Sequence, residues 1–243
     1  MGSYPNPFQP TRPYGLDYEQ RLDVGVVTRF FNSVYAWMAA GLALTAAVAW
    51  WTSTRPDVMA RIGPLIWLLF IVEIVLVMVV AGAVNRISAS VATVLFLIFS
   101  ALNGLTLSGI FLIYAQATIA AAFAVAAGTF AVTSVYGFVT KTDLTRFGSL
   151  LFMGLIGIVI ASFVSIFWHP TLLVVAINYL GVLLFVGLTA YDTQRLKIIA
   201  LQTQNNPALA ARLSISGALA LYLDFLNLFL FILSIMGGND RRR

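Results

Sequence analysis

Cysteine is absent from this chain of 243 residues, and histidine occurs only once, as His169. Without cysteine the protein has no disulfide bonds, thiolate nucleophiles or cysteine-based zinc sites, and one histidine cannot build a multi-histidine metal centre. Charged residues are also scarce, at 9% of the chain against roughly 25% in a typical soluble domain. Since 60% of the residues are hydrophobic, the composition argues against a soluble enzyme domain and against intrinsic disorder, and it predicts an integral membrane protein.

Seven apolar runs reach the length of about 20 residues that an α-helix needs to cross the hydrocarbon core of a bilayer. They are residues 33–52, 64–84, 89–113, 117–139, 149–168, 171–190 and 215–236. None has the alternating pattern of a transmembrane β-strand. We therefore predict an all-α membrane protein with a seven-helix transmembrane domain over residues 33–236. Residues 1–32 are predicted to form a polar tail that ends in an interfacial helix over 18–32, and residues 237–243 a basic tail.

The basic residues lie in short connections between the apolar runs, which is typical of loops that face anionic lipid rather than nucleic acid. We therefore expect the bilayer, and no nucleic acid, as a partner. Nine of the 14 Lys and Arg residues fall in segments 1–32, 85–88, 140–148 and 191–214. Because cytoplasmic loops carry the excess of positive charge, this distribution predicts a cytoplasmic N-terminus.

Three acidic residues lie in or beside the predicted spans. Glu73 is in the middle of the second run, Asp224 is in the middle of the last, and Asp192 is at the inner end of the sixth. A carboxylate at the centre of a bilayer costs about 2.5–3.5 kcal/mol on insertion scales, so such residues face the bundle interior and have a partner or a proton. We interpret all three as candidates for function.

Asp192 and Asp224 are expected to meet, because the sixth run ends on the side of the membrane where the seventh begins. At 1.5 Å per residue, Asp224 lies roughly 15 Å deep, and Asp192 lies about 7–8 Å below the end of its helix if that helix continues to Lys197. Two carboxylates in contact cannot both ionise at low cost, so they share a proton. The pair predicts a pH-sensing contact or a site for a cation that prefers oxygen ligands.

Simpler structural roles remain as alternatives for both aspartates. Asp192 has Arg195 one turn further along the chain and could form an interfacial salt bridge with it. Asp224 has no basic residue near it in sequence, and the alternative for it is a permanently protonated acid that hydrogen-bonds Asn227 or Tyr222. In the paired arrangement the two aspartates titrate together. In these alternatives each aspartate has a partner of its own, and the two do not titrate as a unit.

For Glu73 a structural and a functional role are equally favoured. Ser100 and Asn103 lie one turn apart in the third run and are candidate hydrogen-bond partners for a protonated Glu73. His169 directly precedes Pro170 between two apolar runs, and we interpret it as a loop residue.

The sequence contains no motif that points to catalysis. It has no His-Glu-x-x-His zinc pattern, no Gly-x-Ser-x-Gly nucleophile elbow and no glycine-rich phosphate loop. An intramembrane aspartyl protease requires two aspartates on adjacent helices, which Asp192 and Asp224 formally supply, but the Gly-x-Gly-Asp motif of that class is missing at Asp224. We therefore expect a protein that is not an enzyme and that carries no cofactor.

Three stretches resemble the Bax inhibitor-1 family, the transmembrane Bax-inhibitor-motif proteins that include bacterial YccA-like members. They are MAAGLALT at 38–45, TKTDLT at 140–145, and YDTQ at 191–194 together with LYLDFLNLF at 221–229. The second stretch is similar to the family's TKRDLS, with Thr142 in place of arginine. The third is the most specific of the three.

The resemblance implies a bundle whose last helix is central and surrounded by the other six. It also implies a calcium leak that is controlled by pH through two aspartates, which correspond here to Asp192 and Asp224 and would be the residues that contact calcium. Glu73 looks like the family's acid in the second span. Arg86 corresponds to an arginine cluster that, in some members, pairs with the first aspartate.

The expected function is therefore a pH-sensitive calcium leak channel, with calcium ions and protons as ligands and with Asn227 and Arg195 as supporting polar residues. Two alternatives remain: a non-conducting regulatory partner of a membrane protease or other integral membrane complex, and a proton-coupled cation antiporter. Minimal loops favour a bacterial inner membrane as the location.

Overall fold

The computed structural model describes residues 24–83, 87–168 and 171–240. Within these ranges the chain forms seven long helices and no β-strand, and the connections include the short helices Pro56–Ile62 and Ile110–Ile113. The long helices are α1 (Val24–Ser53), α2 (Ile66–Ala83), α3 (Ala89–Leu107), α4 (Gln116–Val139), α5 (Gly148–Trp168), α6 (Thr171–Gln202) and α7 (Pro207–Asp240). Taken with these adjoining segments, all seven are long and apolar enough to cross a membrane. The predicted all-α, seven-span architecture is confirmed.

Three helices extend beyond the apolar runs that predict them. Helix α1 begins at Val24, so the described part of the segment predicted as an interfacial helix is the start of the first span. Helix α6 continues to Gln202, and α7 begins at Pro207, so the predicted connection 191–214 is mostly helical. The 32 residues of α6 measure about 48 Å, against roughly 30 Å for the hydrocarbon core. Hydropathy marks only the part of a helix that lies in lipid.

Several predicted features fall outside the described residues. These are residues 1–23, Arg86, His169 and the last three residues of the chain.

Local signals in the sequence explain where two of the long helices begin. Ser88 precedes α3, and its hydroxyl accepts a hydrogen bond from the backbone N–H of Val91 at 3.3 Å. Asn206 precedes α7 and accepts from the N–H of Leu209 at 3.0 Å, while Pro207 takes the first helical position. Both arrangements satisfy amide groups that have no partner inside the helix, and a proline at the first position sacrifices no hydrogen bond.

Helix α7 forms the centre of the bundle. More than half of its span is buried, the largest share of any of the seven, and it packs against α1, α3, α4 and α6 and touches α2. Helix α5 packs mainly against α6 and the turn that precedes α5, and none of its span is buried. The central position of the last helix is thus as predicted, but the helices around it do not form a complete ring of six, because α5 lies outside α6.

Glycine residues allow the helix backbones to come into direct contact at two crossings. A methyl group on Gly104 of α3 would lie 2.6 Å from Cβ of Val48 in α1, and one on Gly137 of α4 would overlap the carbonyl oxygen of Ala190 in α6. In a membrane, helices associate through packing and polar contacts rather than through the hydrophobic effect, so close backbone approach is a main source of stability. The crossing at Gly137 holds α6 just before Asp192.

Replacing Gly137 with alanine should destabilise the bundle. The added methyl group meets backbone atoms that cannot rotate away, so we expect a loss of about 1–3 kcal/mol, the usual cost of overpacking. Thermal unfolding in detergent measures the effect as a lower melting temperature. Gly157→Ala on α5 is the matched control, since a methyl group there has no atom within 4 Å. Equal melting temperatures for the two variants would contradict the contact between α4 and α6.

The predicted orientation is testable with cysteines introduced into this cysteine-free chain. Gln204 and Thr54 are both exposed, and they lie in connections at opposite ends of the bundle. In intact cells, Gln204→Cys and Ser3→Cys should resist an impermeant thiol reagent, while Thr54→Cys should react. Labelling of Gln204→Cys with protection of Thr54→Cys would reverse the orientation. Labelling of only one of the Ser3 and Gln204 variants would contradict the number of spans between them.

Candidate functional site

The segment of α6 around Asp192 is fixed by contacts with the turn between α4 and α5. The amide group of Gln194 accepts a hydrogen bond from the N–H of Leu144 and donates one to the carbonyl oxygen of Thr142, both at 2.8 Å. Two neighbouring residues on α6 pack directly against glycines. Ala190 contacts Gly137, and the ring of Tyr191 lies so close to Gly148 that a methyl group added to this glycine would be 2.9 Å from the ring. The TKTDLT and YDTQ stretches therefore form one structural unit.

Inside this turn, Asp143 is also held locally. Its carboxylate accepts hydrogen bonds from the hydroxyl and the backbone N–H of Thr145, and it lies 3.5 Å from Nε of Arg146. The two hydrogen bonds from Thr145 lower the pKa of Asp143, and the charge of Arg146 adds to the effect. Asp143 is thus an exposed structural residue, and it is not part of the aspartate pair.

The carboxyl groups of Asp192 and Asp224 lie within hydrogen-bonding reach of each other across the α6–α7 interface. Asp224 is buried, with 5% of its surface exposed, and Asp192 is partly buried. The structure therefore brings together the two aspartates that the sequence analysis singled out. Both aspartates lie further from the ends of their helices than the sequence predicted, because α6 continues to Gln202 and α7 begins at Pro207.

Asp224 lacks a protein donor at one of its carboxylate oxygens. Among the described residues, no group hydrogen-bonds Oδ2 of Asp224, which is fully buried. A buried carboxylate without a donor is costly, and a neighbouring carboxylate increases that cost. A proton shared between the two side chains, or a bound cation, removes the repulsion. The pair is therefore the candidate functional site.

Arg195 does not neutralise the pair by direct contact. It is exposed, and it lies close enough to Asp192 for an electrostatic interaction. However, the one ion pair within 4.0 Å among the described residues joins Asp143 and Arg146. Arg195 therefore acts on Asp192 through its charge, without an ion pair within 4.0 Å.

The hydrogen-bond partners suggested for Asp224 by the sequence are engaged elsewhere. The amide nitrogen of Asn227 donates to the carbonyl oxygen of Leu223 at 2.8 Å, within its own helix. The hydroxyl group of Tyr222 lies 2.7 Å from Oγ1 of Thr45 in α1. Neither side chain hydrogen-bonds Asp224, so neither explains its burial.

Glu73 has a different partner from those expected. It is 7% exposed, and Oγ1 of Thr106 in α3 donates a hydrogen bond to its Oε1 at 3.0 Å. The expected partners Ser100 and Asn103 instead donate to carbonyl oxygens one turn before them in α3. Thr106 lies one turn beyond Asn103 on the same face of α3. The expected face of α3 therefore contacts Glu73, but one turn further along the helix than expected. This pair is separate from the aspartate site.

A chain of hydroxyl groups links α1, α4 and α6 close to the aspartates. The hydroxyl group of Tyr35 lies 2.5 Å from Oγ of Ser134, which lies 3.0 Å from Oγ1 of Thr193. These residues could not be predicted from the sequence, because single hydroxyl residues in different spans show no common spacing. The only available signal was the position of Thr193 next to Asp192.

The described residues contain no cluster of three or more His, Asp or Glu side chains that could hold a metal ion. Two aspartates provide at most four carboxylate oxygens, while calcium takes six to eight oxygen ligands. The two aspartates alone therefore do not complete the coordination shell of a calcium ion. Arg86, the expected partner of the first aspartate, lies outside the described residues.

The chain is similar to known proteins over most of its length. A family model described as "Inhibitor of apoptosis-promoting Bax1" matches residues 27–241. Over 214 residues the chain is 48% identical to the protein of Escherichia coli K12 named "Inner membrane protein YbhL", an alignment that covers 86% of this chain and 91% of that protein. It is also 44% identical over 222 residues to an uncharacterized protein of Deinococcus radiodurans, with 91% and 95% of the two chains covered.

The contact between α4 and α6 can be tested by cross-linking. Since the hydroxyl oxygens of Ser134 and Thr193 are 3.0 Å apart, the double variant Ser134→Cys/Thr193→Cys should form a disulfide on mild oxidation. Counting free thiols with a maleimide after denaturation measures the bond. Val132→Cys/Thr193→Cys is the control, because Val132 is 73% exposed on the outer face of α4. Equal oxidation of both double variants would contradict this arrangement.

Proposed function

The chain belongs to the Bax inhibitor-1 family, and from this premise we propose that it is a pH-sensitive calcium leak channel gated by Asp192 and Asp224. The observation that carries the proposal is the contact between these two carboxyl groups at the junction of α6 and the central helix α7. We further propose that the protein resides in the bacterial inner membrane, with its N-terminus in the cytoplasm. The name of the E. coli relative and the basic connections support this location.

The pair can exist in two charge states with opposite effects on the α6–α7 contact. With one proton between them, the carboxyl groups form a hydrogen bond that joins the helices. With both ionised, they repel each other and attract a cation. A change of one unit of charge at a buried interface alters its free energy far more than the same change at an exposed site. Titration of the pair is therefore suited to opening and closing a path beside α7.

Calcium fits the chemistry of the open pair. Carboxylate oxygens are hard ligands that calcium prefers, and the small number of them leaves the ion partly hydrated and weakly held. Conduction requires binding that is strong enough for the ion to enter and weak enough for it to leave. In this proposal calcium and protons are the ligands of the site, the lipid bilayer is its surroundings, and no cofactor or catalytic step is involved.

The proposal predicts the behaviour of the aspartate variants in calcium flux. In liposomes loaded with a calcium-sensitive dye, Asp192→Asn and Asp224→Asn should each flatten the pH dependence of calcium entry. Asparagine keeps the shape of the side chain but removes the shared titration. Because the two residues titrate as one unit, the double variant should match the single variants rather than add their effects.

Glu73→Gln provides the matched control, because it removes another buried acid that contacts Thr106 instead of the pair. This variant should keep the pH profile of the parent protein. If Asp192→Asn kept the parent profile while Asp224→Asn abolished it, the paired mechanism would be wrong, and Asp192 would act as the interfacial partner of Arg195.

The same liposomes distinguish the two alternative functions. Calcium uptake that requires an imposed proton gradient would indicate a proton-coupled antiporter, which needs the same carboxylates. No calcium movement at any pH would favour a non-conducting regulatory partner of a membrane protease or another integral complex. The proposed channel conducts calcium down its own gradient without a proton gradient.

A further inference from the structure

A groove with a volume of about 470 Å³ runs between α1 and α4 on the outside of the bundle. Phe31 and Tyr35 of α1 form one wall, and Phe130 and Ser134 of α4 form the other, with Phe138 at one end. Its surface is predominantly apolar, and its volume lies within the range of pockets that bind small molecules or parts of larger ones.

The groove lies within one leaflet of the membrane. Its walls are formed by the first part of α1 and the last part of α4, which lie at the same end of the bundle. From residue 130 to residue 138, α4 rises about 12 Å, which is less than half of the roughly 30 Å hydrocarbon core. The Phe138 end is therefore nearest to the headgroups, and the Phe130 end points toward the middle of the bilayer.

Positive charge is concentrated at the headgroup end. Nζ of Lys197 in α6 lies 5.1 Å from the centre of the Phe138 ring and donates a hydrogen bond to the Phe138 carbonyl oxygen at 3.0 Å. No carboxylate of the described residues lies within 4.0 Å of this ammonium group. The exposed Lys141 follows α4 by two residues, and the nearby Asp143 is already paired with Arg146.

We infer that this groove binds one acyl chain of an anionic phospholipid, with the headgroup phosphate at Lys197. The apolar walls match a hydrocarbon chain, the depth matches a single leaflet, and the ammonium group matches a phosphate. Lysine side chains at membrane interfaces attract anionic headgroups, with a free energy of about 1 kcal/mol per charge, which corresponds to roughly a fivefold difference in affinity. This binding site is independent of the calcium proposal.

The floor of the groove is fixed before any lipid enters. Tyr35 and Ser134 face each other across it in hydrogen-bonding contact, and Ser134 also bonds Thr193 of α6. The ring of Phe31 packs edge-on against Phe138, with the ring centres 5.1 Å apart. Because the groove is preformed, the free energy of lipid binding is not reduced by the ordering of its side chains.

Native mass spectrometry of the purified full chain tests the inference with two probes, phosphatidylglycerol and phosphatidylcholine that carry the same acyl chains. Phosphatidylglycerol should be retained in preference, with one molecule bound most tightly. Lys197→Gln should reduce that preference by about fivefold, while Lys197→Arg should preserve it. Ala131→Trp, which fills the groove, should remove the tightest phosphatidylglycerol site.

Val132→Trp is the matched control, since Val132 is adjacent on α4 but does not line the groove. This variant should bind as the parent does. Equal retention of the two lipids, or unchanged phosphatidylglycerol binding in Ala131→Trp, would overturn the inference. It would also be overturned if lipid binding appeared only after deletion of residues 1–20, since this result would make the tail of the chain the occupant of the groove.

Discussion

A carboxylate in the middle of a membrane has to be screened from lipid, and the arrangement of the whole bundle follows from that constraint. Asp224 lies halfway along α7, so this helix needs neighbours on every side that faces hydrocarbon. Helices α1, α3, α4 and α6 provide them, and their aromatic and aliphatic side chains pack around α7 to form the apolar core. Among the residues that the structure describes, Asp192 of α6 is the charged group that interacts with the buried carboxyl group of Asp224.

The position of Asp192 depends in turn on how firmly α6 is held. Gln194 joins the helix to the turn after α4 through two backbone hydrogen bonds, and the backbones of α4 and α6 touch at Gly137 and Ala190. On the other side, Leu196 fills the space left by Gly217 of α7. Since these contacts lie within two turns of Asp192, small errors in packing would separate the carboxyl groups.

Hydropathy and the order of the spans predict most of this arrangement, because both follow from a single physical rule applied along the chain. The seven spans and the meeting of Asp192 with Asp224 are of this kind. The contact of Thr106 with Glu73, and the hydroxyl chain from Tyr35 to Thr193, depend on how each helix is rotated and shifted against its neighbour. Spacing within one helix carries no information about these quantities. The extension of α6 to Gln202 was also hidden, because charges end an apolar run without ending a helix.

Direct backbone contact at Gly137 limits how the bundle can deform. Two helices whose main chains touch, and which are also joined by Ser134 and Thr193, cannot slide past each other without steric overlap, so α4 and α6 behave as a single rigid body. Any rearrangement that separates α6 from α7 must carry α4 with it, and therefore also one wall of the groove beside α1. A displacement of α6 at the centre of the bundle therefore also moves the part of α4 that lines the groove on the lipid-facing surface.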